Sequence, residues 1–360
     1  MKLILPFLLG IILLSSCKTD FSLGGEYKEV PIVHCLLDPH NNYHYLKLNK
    51  TFLGDGDATQ FAKIPDSSYF QDVDATIYEL NKNTDDTIRK WKLKDTIIDN
   101  KEPGMFYSPE QKLYYFHTDD DNKLNLSYDI KYFLHIDIDN GNHTVRGETE
   151  LVKGVNISSP AQQNALRFAP ADVSKDGYMV ESVGFPTGEG EIFNAKIAFY
   201  YREVSPGGDA AIKHFDWNLG TIRKSELTSQ TNGSFRAPGE RFYQLIQENV
   251  PINNDLLRRE VRRIEITLTA GSEDLSIYML ANQPTSTLTQ NKPEFTNISG
   301  GLGIFSARTT MVQVKQAFNP PLSRALNNNS TRELVEGPYT VQLGFCSHLN
   351  MDQDQSYYCW

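Results

Sequence analysis

Residues 130–152 read IKYFLHIDIDNGNHTVRGETELV and contain the clearest structural signal in the chain. Apolar and polar side chains alternate over the first nine residues, which is the period of a half-buried β-strand. Asn140-Gly141 then supplies the two positive-φ positions of a type I′ turn. The segment therefore predicts a β-hairpin in which Ile136 pairs with Val145.

Three earlier segments alternate in the same way. They are VPIVHCLL at 30–37, YHYLKLNKTF at 43–52 and VDATIYEL at 73–80. Residues 26–152 show no convincing helical period, and the chain is rich in Tyr, Phe and Thr, which favour strands. We therefore predict an immunoglobulin-like β-sandwich over residues 26–152.

Residues 153–360 are predicted to form a second, β-rich domain, because the chain is longer than one core usually serves. Helical periodicity appears in two short segments, GERFYQLIQENV at 239–250 and SEDLSIYMLANQ at 272–283. The predicted strands of this domain are 193–204, 213–220, 262–270, 307–315 and 338–346. The tract ALNNNSTRE at 325–333 is predicted to be a polar loop.

The chain begins MKLILPFLLGIILLSSC. Its apolar run is shorter than the roughly 20 residues that a membrane-spanning helix needs, and it fits a secretory signal peptide over residues 1–16. Leu14 to Cys17 matches the bacterial lipobox, in which the cysteine is diacylated. We predict lipidation at Cys17, followed by a tether over 17–25. An ordinary signal peptide with a chance cysteine is the alternative.

The charge of the chain argues against nucleic acid as a partner. The formal net charge is -10, and phosphate binding needs a cluster of Lys and Arg. The richest basic stretch, LLRREVRR at 256–263, is interrupted by Glu260. We predict that this stretch is a solvated face.

Three cysteines follow Cys17, and outside the cytoplasm they can oxidise. Cys346 and Cys359 lie close together in the sequence, so a disulfide between them is the predicted pairing, with Cys35 a buried thiol. Pairing of Cys35 with one of the other two is the alternative.

Motifs for catalysis are missing from the sequence: there is no G-x-S-x-G elbow, HExxH or P-loop. His34, His40 and His44 cluster, and acidic turns occur at 54–57 and 117–122, but none completes a metal-ligand set. The sequence therefore predicts no catalytic residue, no metal and no cofactor, and a protein that is not an enzyme.

Two tripeptides, Asp86-Thr87-Ile88 and Asp95-Thr96-Ile97, match the short Asp-Ser/Thr-aliphatic O-glycosylation motif known from Bacteroidota. Thr87 and Thr96 are therefore candidate modification sites. Chance occurrence is the alternative, because three residues carry little information.

Residues 295–308 read FTNISGGLGIFSAR. A phosphate-binding loop needs a strand before its glycines and a helix after them, whereas here a Pro-containing loop precedes and β-formers follow. We predict instead that Gly300, Gly301 and Gly303 allow positive φ or close backbone approach at a tight turn or bulge.

The lipobox, VPIVHCLLD, the hairpin and the glycine stretch together resemble an uncharacterised family of Bacteroidota lipoproteins, commonly encoded beside TonB-dependent receptors. That family carries a similar Asn-Ile-x-x-Gly-x-Gly-x-Phe signature. It is matched here by Asn297, Ile298, Gly301, Gly303 and Phe305. The chain departs from the family at Cys35 and in its tail, MDQDQSYYCW. The resemblance implies outer-membrane residence and partnership with a β-barrel complex.

Three functions follow as hypotheses. The first is a non-catalytic outer-membrane lipoprotein, on the cell surface or on the periplasmic face, that docks onto a β-barrel transport or assembly complex. The second is a surface lipoprotein that binds glycan or peptide for a TonB-dependent transporter. An exposed aromatic cluster would favour ligand capture, and a broad apolar patch would favour docking. The third is an uncharacterised hydrolase, which needs carboxylates with perturbed pKa values in one pocket.

Overall fold

The computed structural model describes residues 29–51, 62–104, 107–283, 294–317 and 324–359. The predicted signal peptide, Cys17, the tether and the acidic turn at 54–57 lie outside these residues. Within the described ranges, no helix has the length and apolar character needed to cross a membrane. The chain is mainly β, with 46% of residues in strands and 15% in helices, which confirms the predicted fold class.

In the amino-terminal half, the described residues form eight strands and one short helix. They are β1 (Pro31–Leu37), β2 (Tyr43–Lys50), α1 (Pro65–Ser68), β3 (Val73–Asn81), β4 (Thr87–Lys92), β5 (Lys94–Asp99), β6 (Glu110–His117), β7 (Ile130–Ile138) and β8 (His143–Thr149). Strands β1, β2, β6 and β5 are neighbours in one sheet, and β8, β7, β3 and β4 in another. These orders are the A-B-E-D and G-F-C arrangements of an immunoglobulin sandwich, with β4 added beside C.

The hairpin of β7 and β8 has the predicted register, because Ile136 pairs with Val145. Asn140 and Gly141 both have positive φ, at 55° and 89°. Asp139 also has a positive φ of 52°, which the sequence did not indicate.

Tyr132 joins the start of β7 to the chain before it. Its hydroxyl accepts a hydrogen bond from the backbone N of Asn125 at 2.6 Å and donates one to Oε2 of Glu79 at 3.0 Å. A tyrosine on strand F that bonds back to upstream backbone is a hallmark of immunoglobulin-type sandwiches. The side chain is fully buried, so this polar link lies inside the core.

The carboxy-terminal half contains the remaining elements. They are α2 (Val173–Asp176), β9 (Val180–Pro186), β10 (Ile192–Val204), β11 (Ala210–Arg223), β12 (Asn232–Pro238), α3 (Gly239–Asn249), β13 (Arg258–Gly271), α4 (Glu273–Ala281), β14 (Ile298–Ser299), β15 (Leu302–Gln316) and α5 (Asn328–Glu336), with short 3₁₀ turns at Lys224–Glu226, Val341–Leu343 and Asn350–Asp352. The two predicted helices, α3 and α4, are present.

Two secondary-structure predictions in this half are wrong. The tract at 325–333 is not a loop, because Asn327 caps α5 by accepting a hydrogen bond from the backbone N of Ser330. The polar composition of this tract favoured a loop, but α5 buries one of its faces, including Leu334, in the protein. Residues 338–346 are not a strand: Val341–Leu343 form a 3₁₀ turn, and of these nine residues Phe345 alone makes a β-bridge, to Arg259.

Strand β15 belongs to both halves. Its first part pairs in parallel with β1, from Leu302 to Ala307, and its second part pairs antiparallel with β13. One eight-stranded sheet therefore runs in the order β11-β10-β13-β15-β1-β2-β6-β5. The division of the chain at residue 152 stays a prediction, since backbone hydrogen bonds cross it in this sheet.

Candidate functional site

The glycine stretch crosses from one sheet of the sandwich to the other. Ile298 pairs with Gly147 on β8, and Leu302 pairs with Ile32 on β1. Three residues therefore span the open edge of the sandwich, and the sharp reversal requires positive φ at Gly300, 79°.

Asn297 holds this crossing in place with its side-chain amide. Its Oδ1 accepts a hydrogen bond from the backbone N of Phe305 at 3.0 Å, and its Nδ2 donates to the carbonyl of Phe305 at 2.7 Å. Nδ2 also donates to Asp274 on α4 at 2.8 Å. Phe305 is fully buried, and its Cβ lies where a side chain at Gly147 would be. The polar groups of this segment thus bond to the protein itself, as expected of a structural element.

The cysteines are placed as follows. Cys346 and Cys359 form a disulfide, and Cys35 is a buried free thiol. Burial raises the pKa of the Cys35 thiol to about 12, so it stays protonated and unreactive at neutral pH. Cys17 lies outside the described residues.

The candidate glycosylation sites lie on different sheets. Thr87 is the exposed first residue of β4, and Thr96 is half-buried on the edge strand β5. Modification of either residue remains a prediction.

The clustered histidines contact different partners. Nε2 of His34 lies 2.8 Å from the hydroxyl of Tyr278, and Nε2 of His44 lies 3.1 Å from Oγ1 of Thr118. His40 is exposed in the turn between β1 and β2. No group of three or more His, Cys, Asp or Glu positioned to hold a metal occurs in the described part of the chain.

The prediction of a solvated face at 256–263 is wrong at its centre. Arg259 is only 1% exposed and Glu260 is fully buried. Nη2 of Arg259 lies 2.8 Å from Oε1 of Glu203, and its Nη1 donates to the carbonyl of Leu343. The charged run is thus a buried ionic network, whose partners come from strand β10 and from the C-terminal segment.

A cluster of aromatic side chains, three of them exposed and one half-buried, lies on the outer face of the sandwich. On β2, Tyr43 and Tyr45 are 52% and 42% exposed. On β6, Tyr115 pairs with Tyr45, and His117 pairs with Tyr43. We call these four residues the aromatic face.

Strand geometry determines on which side of the sheet the aromatic face lies. Side chains alternate along a strand, and His44 and Leu46 of β2 point into the core. Tyr43 and Tyr45 must therefore point out. The ring centroids of Tyr43 and Tyr45 are 6.4 Å apart and nearly parallel, at 19°. The ring of Tyr115 lies 6.1–6.2 Å from both and is tilted to them by 40° and 39°, so the three rings form one continuous patch, which we call the platform.

Beside this platform is a shallow pocket of about 480 Å³. Its walls are Leu36, the turn residues Asn41 and Asn42, the rings of Tyr43 and Tyr45, and Arg308. A shallow site with aromatic rings on one side and amide and guanidinium groups on the other is typical of a ligand-binding surface.

A second pocket, of about 450 Å³, lies between α2 and α5 and contains Glu333. Burial raises the pKa of the Glu333 carboxyl, and Tyr178 donates a hydrogen bond to it at 2.8 Å. The neighbouring Asp172 accepts hydrogen bonds from Ser174 as the cap of α2, and these bonds lower its pKa. Because Asp172 caps a helix and Glu333 joins α5 to Tyr178, we assign this pair to structure.

None of the four residues of the aromatic face was predicted from the sequence to belong to a site. The alternation of YHYLKL predicts that Tyr43 and Tyr45 share one face, opposite Leu46. Strand β6, read EQKLYYFH, was not predicted, because its burial pattern alternates only over its last four residues. Its partnership with β2 depends on pairing of segments about 70 residues apart.

Comparison with known proteins adds little. No protein-family model matches the chain, and no curated protein sequence matches it. A similar solved structure is the C-terminal globular domain of an oligosaccharyltransferase from Pyrococcus abyssi, at 12% identity and a TM-score of 0.21. The match covers 67% of this chain and 45% of that one, so the chain spans less than half of that domain's length. A likeness this weak carries no argument about function.

Proposed function

We propose that the protein is a non-catalytic, lipid-anchored outer-membrane protein that captures a glycan on its aromatic face. The observation that carries the proposal is the exposure of two adjacent tyrosine rings, Tyr43 and Tyr45, beside the half-buried ring of Tyr115 on one side of a sheet. Exposing large rings to water is unfavourable, so a contiguous exposed cluster marks a binding surface.

A glycan suits the geometry. A pyranose ring presents a flat C–H face that stacks on tyrosine, and its hydroxyl groups can bond to the amides of Asn41 and Asn42, which line the adjoining pocket. The lipobox at Cys17 and the resemblance to lipoproteins encoded beside TonB-dependent receptors support a role in delivering such a ligand to a transporter.

The test is binding of the full chain to a panel of oligosaccharides, followed by calorimetry on those that bind. Tyr43→Ala and Tyr45→Ala should each weaken binding about tenfold, the contribution of one stacked ring. Tyr78→Ala is the matched control, because Tyr78 makes a similar aromatic pair with Phe133 on the opposite sheet. Equal binding by all three variants, or no binding to any oligosaccharide, would contradict the proposal.

Docking onto an outer-membrane β-barrel is the second candidate function. It is favoured by helix α4, on which Ile277, Met279 and Leu280 are exposed, Leu280 by 55%. Helix α4 packs on β15, beside β1. It therefore covers the same outer face of the sheet as the aromatic cluster, but over different strands.

The docking function is tested by detergent pull-down of the tagged lipoprotein. One stoichiometric barrel protein should be recovered, and Leu280→Asp should abolish its recovery. Ile252→Asp changes an equally exposed apolar residue in the loop after α3 and should have no effect. Recovery of the lipoprotein alone, under conditions that preserve known membrane complexes, would count against docking.

A further inference from the structure

Positive charge is concentrated at one end of the aromatic face. Lys47 follows Tyr45 by two residues on β2, so its side chain emerges on the same side, about 7 Å along the strand. Lys94 lies directly opposite Tyr115 on β5, where paired Cβ atoms are about 5 Å apart. The two lysines thus flank the tyrosines Tyr45 and Tyr115.

Neither lysine is neutralised by the protein within the described ranges, since no carboxylate lies within salt-bridge distance of Lys47 or Lys94. The positive charge of Lys47 acts on two nearby groups: after burial, it is the second cause that lowers the pKa of His34 and of Lys101. In the described part of the chain, Lys47 and Lys94 therefore have no ion-pair partner at this end of the face.

Arg308 adds a cation at the other side of the platform. It lines the shallow pocket, its side chain is 43% exposed, and its Nε lies 3.4 Å from Oδ2 of the buried Asp38. Thr310 also donates a hydrogen bond to Asp38, at 2.7 Å. The Asp38 carboxylate thus has partners in Arg308 and Thr310. The exposed part of the Arg308 guanidinium lines the shallow pocket.

Among the residues that the structure describes, acidic groups near the face include those of a turn at its far end. The turn at 119–121 begins two residues beyond His117, and there Asp120 pairs with Lys123 at 2.6 Å. Asp95 of β5 pairs with the core-facing Tyr114, so it points away from the face. In a chain of net charge -10, two lysines without an ion-pair partner among the described residues border this aromatic surface, and Arg308 adds a third cation that is paired with Asp38.

We infer that the glycan bound on the aromatic face is acidic, and that its carboxylate or sulfate groups contact Lys47 and Lys94. The inference rests on the proposed glycan-binding function and specifies its ligand. The sugar rings stack on Tyr45 and Tyr115 while the anionic groups meet the ammonium groups on either side. Arg308 offers a bidentate donor to a further anionic group in the pocket.

The test compares acidic glycans with neutral counterparts of the same backbone. Oligogalacturonate and its methyl ester differ in carboxylate charge, and chondroitin sulfate and desulfated chondroitin differ in sulfate. With the full chain in calorimetry at 50 and 300 mM salt, the acidic member of at least one pair should bind more tightly. Its advantage should shrink at the higher salt, where exposed charges are screened over a shorter distance. The pair that shows the difference identifies the anionic group.

Substitution assigns the effect to residues. Lys47→Gln and Lys94→Gln should each weaken binding of the acidic probe up to about fivefold, as expected of an exposed ion pair, and should leave the neutral probe unchanged. Lys90→Gln is the matched control, because Lys90 is exposed on β4 of the opposite sheet.

The outcomes separate the two proposals. Equal affinity for acidic and neutral probes, with loss of both in Tyr45→Ala, would overturn the acidic-ligand inference and leave glycan binding intact. Loss of the acidic preference in Lys90→Gln as much as in Lys47→Gln would also overturn it. Failure of every acidic and neutral probe to bind would overturn both proposals.

Discussion

Gly303 lies against Val33 so closely that a Cβ atom on Gly303 would be 1.9 Å from the carbonyl oxygen of Val33. The φ of Gly303 is +104°, a value that L side chains rarely adopt. Gly303 therefore lets β15 approach β1 as its parallel neighbour, and this contact attaches the C-terminal half to the sandwich.

We predict that Gly303→Ala destabilises the protein by more than about 3 kcal/mol, because backbone strain and a backbone clash add together. Urea unfolding followed by tryptophan fluorescence measures the loss. Gly141→Ala is the control, since Gly141 has a φ of +89° but open space around it. The control should lose only about 1–2 kcal/mol. Equal losses in the two variants would contradict the role assigned to close approach.

Arg259 is predicted to be needed for stability. Arg259→Ala should cost about 3–5 kcal/mol, because it leaves the buried Glu203 carboxylate without one of its cations. Lys213 still contacts Glu203 at 2.7 Å. The double variant Arg259→Met with Glu203→Met removes both buried charges, so it should lose less than Arg259→Ala alone. Thermal unfolding of the two variants checks this, and a greater loss in the double variant would refute it.

His44 is predicted to make stability depend on pH. Burial between Thr118 and the ring of Phe116 lowers its pKa to about 4, whereas in the unfolded chain it titrates near 6.5. Between these values the unfolded state binds more protons than the folded state. Stability from neutral His44 is therefore full above pH 6.5 and is lost as pH falls towards 4.

The measurement is the free energy of unfolding at several pH values between 4 and 7. His44→Gln should flatten the slope in this window by up to about 1.4 kcal/mol per pH unit. His40→Gln, which changes an exposed histidine six residues after His34, should leave the slope as it is. An unchanged slope in His44→Gln would show that another group titrates.

The disulfide between Cys346 and Cys359 is predicted to stabilise the C-terminal segment. It closes a loop with a sequence separation of 13, which corresponds to about 3 kcal/mol in the chain-entropy model. A reductant should lower the melting temperature of the native chain but not that of the Cys346→Ser, Cys359→Ser variant. Iodoacetamide should leave Cys35 unmodified until the chain unfolds. Rapid labelling of Cys35 in the native state would contradict its burial.

The sequence was informative wherever a local pattern coincided with burial. The hairpin of β7 and β8 was predicted to the residue, because alternation and Asn140-Gly141 favour the same register. The segment at 272–283 was predicted to be a helix, and Ser272 caps α4 there by accepting a hydrogen bond from the backbone N of Leu275. The predictions were wrong where long-range packing outweighs the local pattern. Helix α5 was predicted to be a loop, and the buried Arg259 was predicted to be solvated.

The amino-acid sequence by itself determined the β class, the hairpin and the need for glycines at 300, 301 and 303. These properties depend on alternation and on allowed backbone angles, which act over a few residues. Tertiary structure alone decided that β6 lies beside β2, that β15 joins both halves, and that Tyr115, Lys94 and Arg308 border the same face. Such contacts join segments up to about 270 residues apart, and their free energy comes from burial and strand pairing that no local pattern specifies.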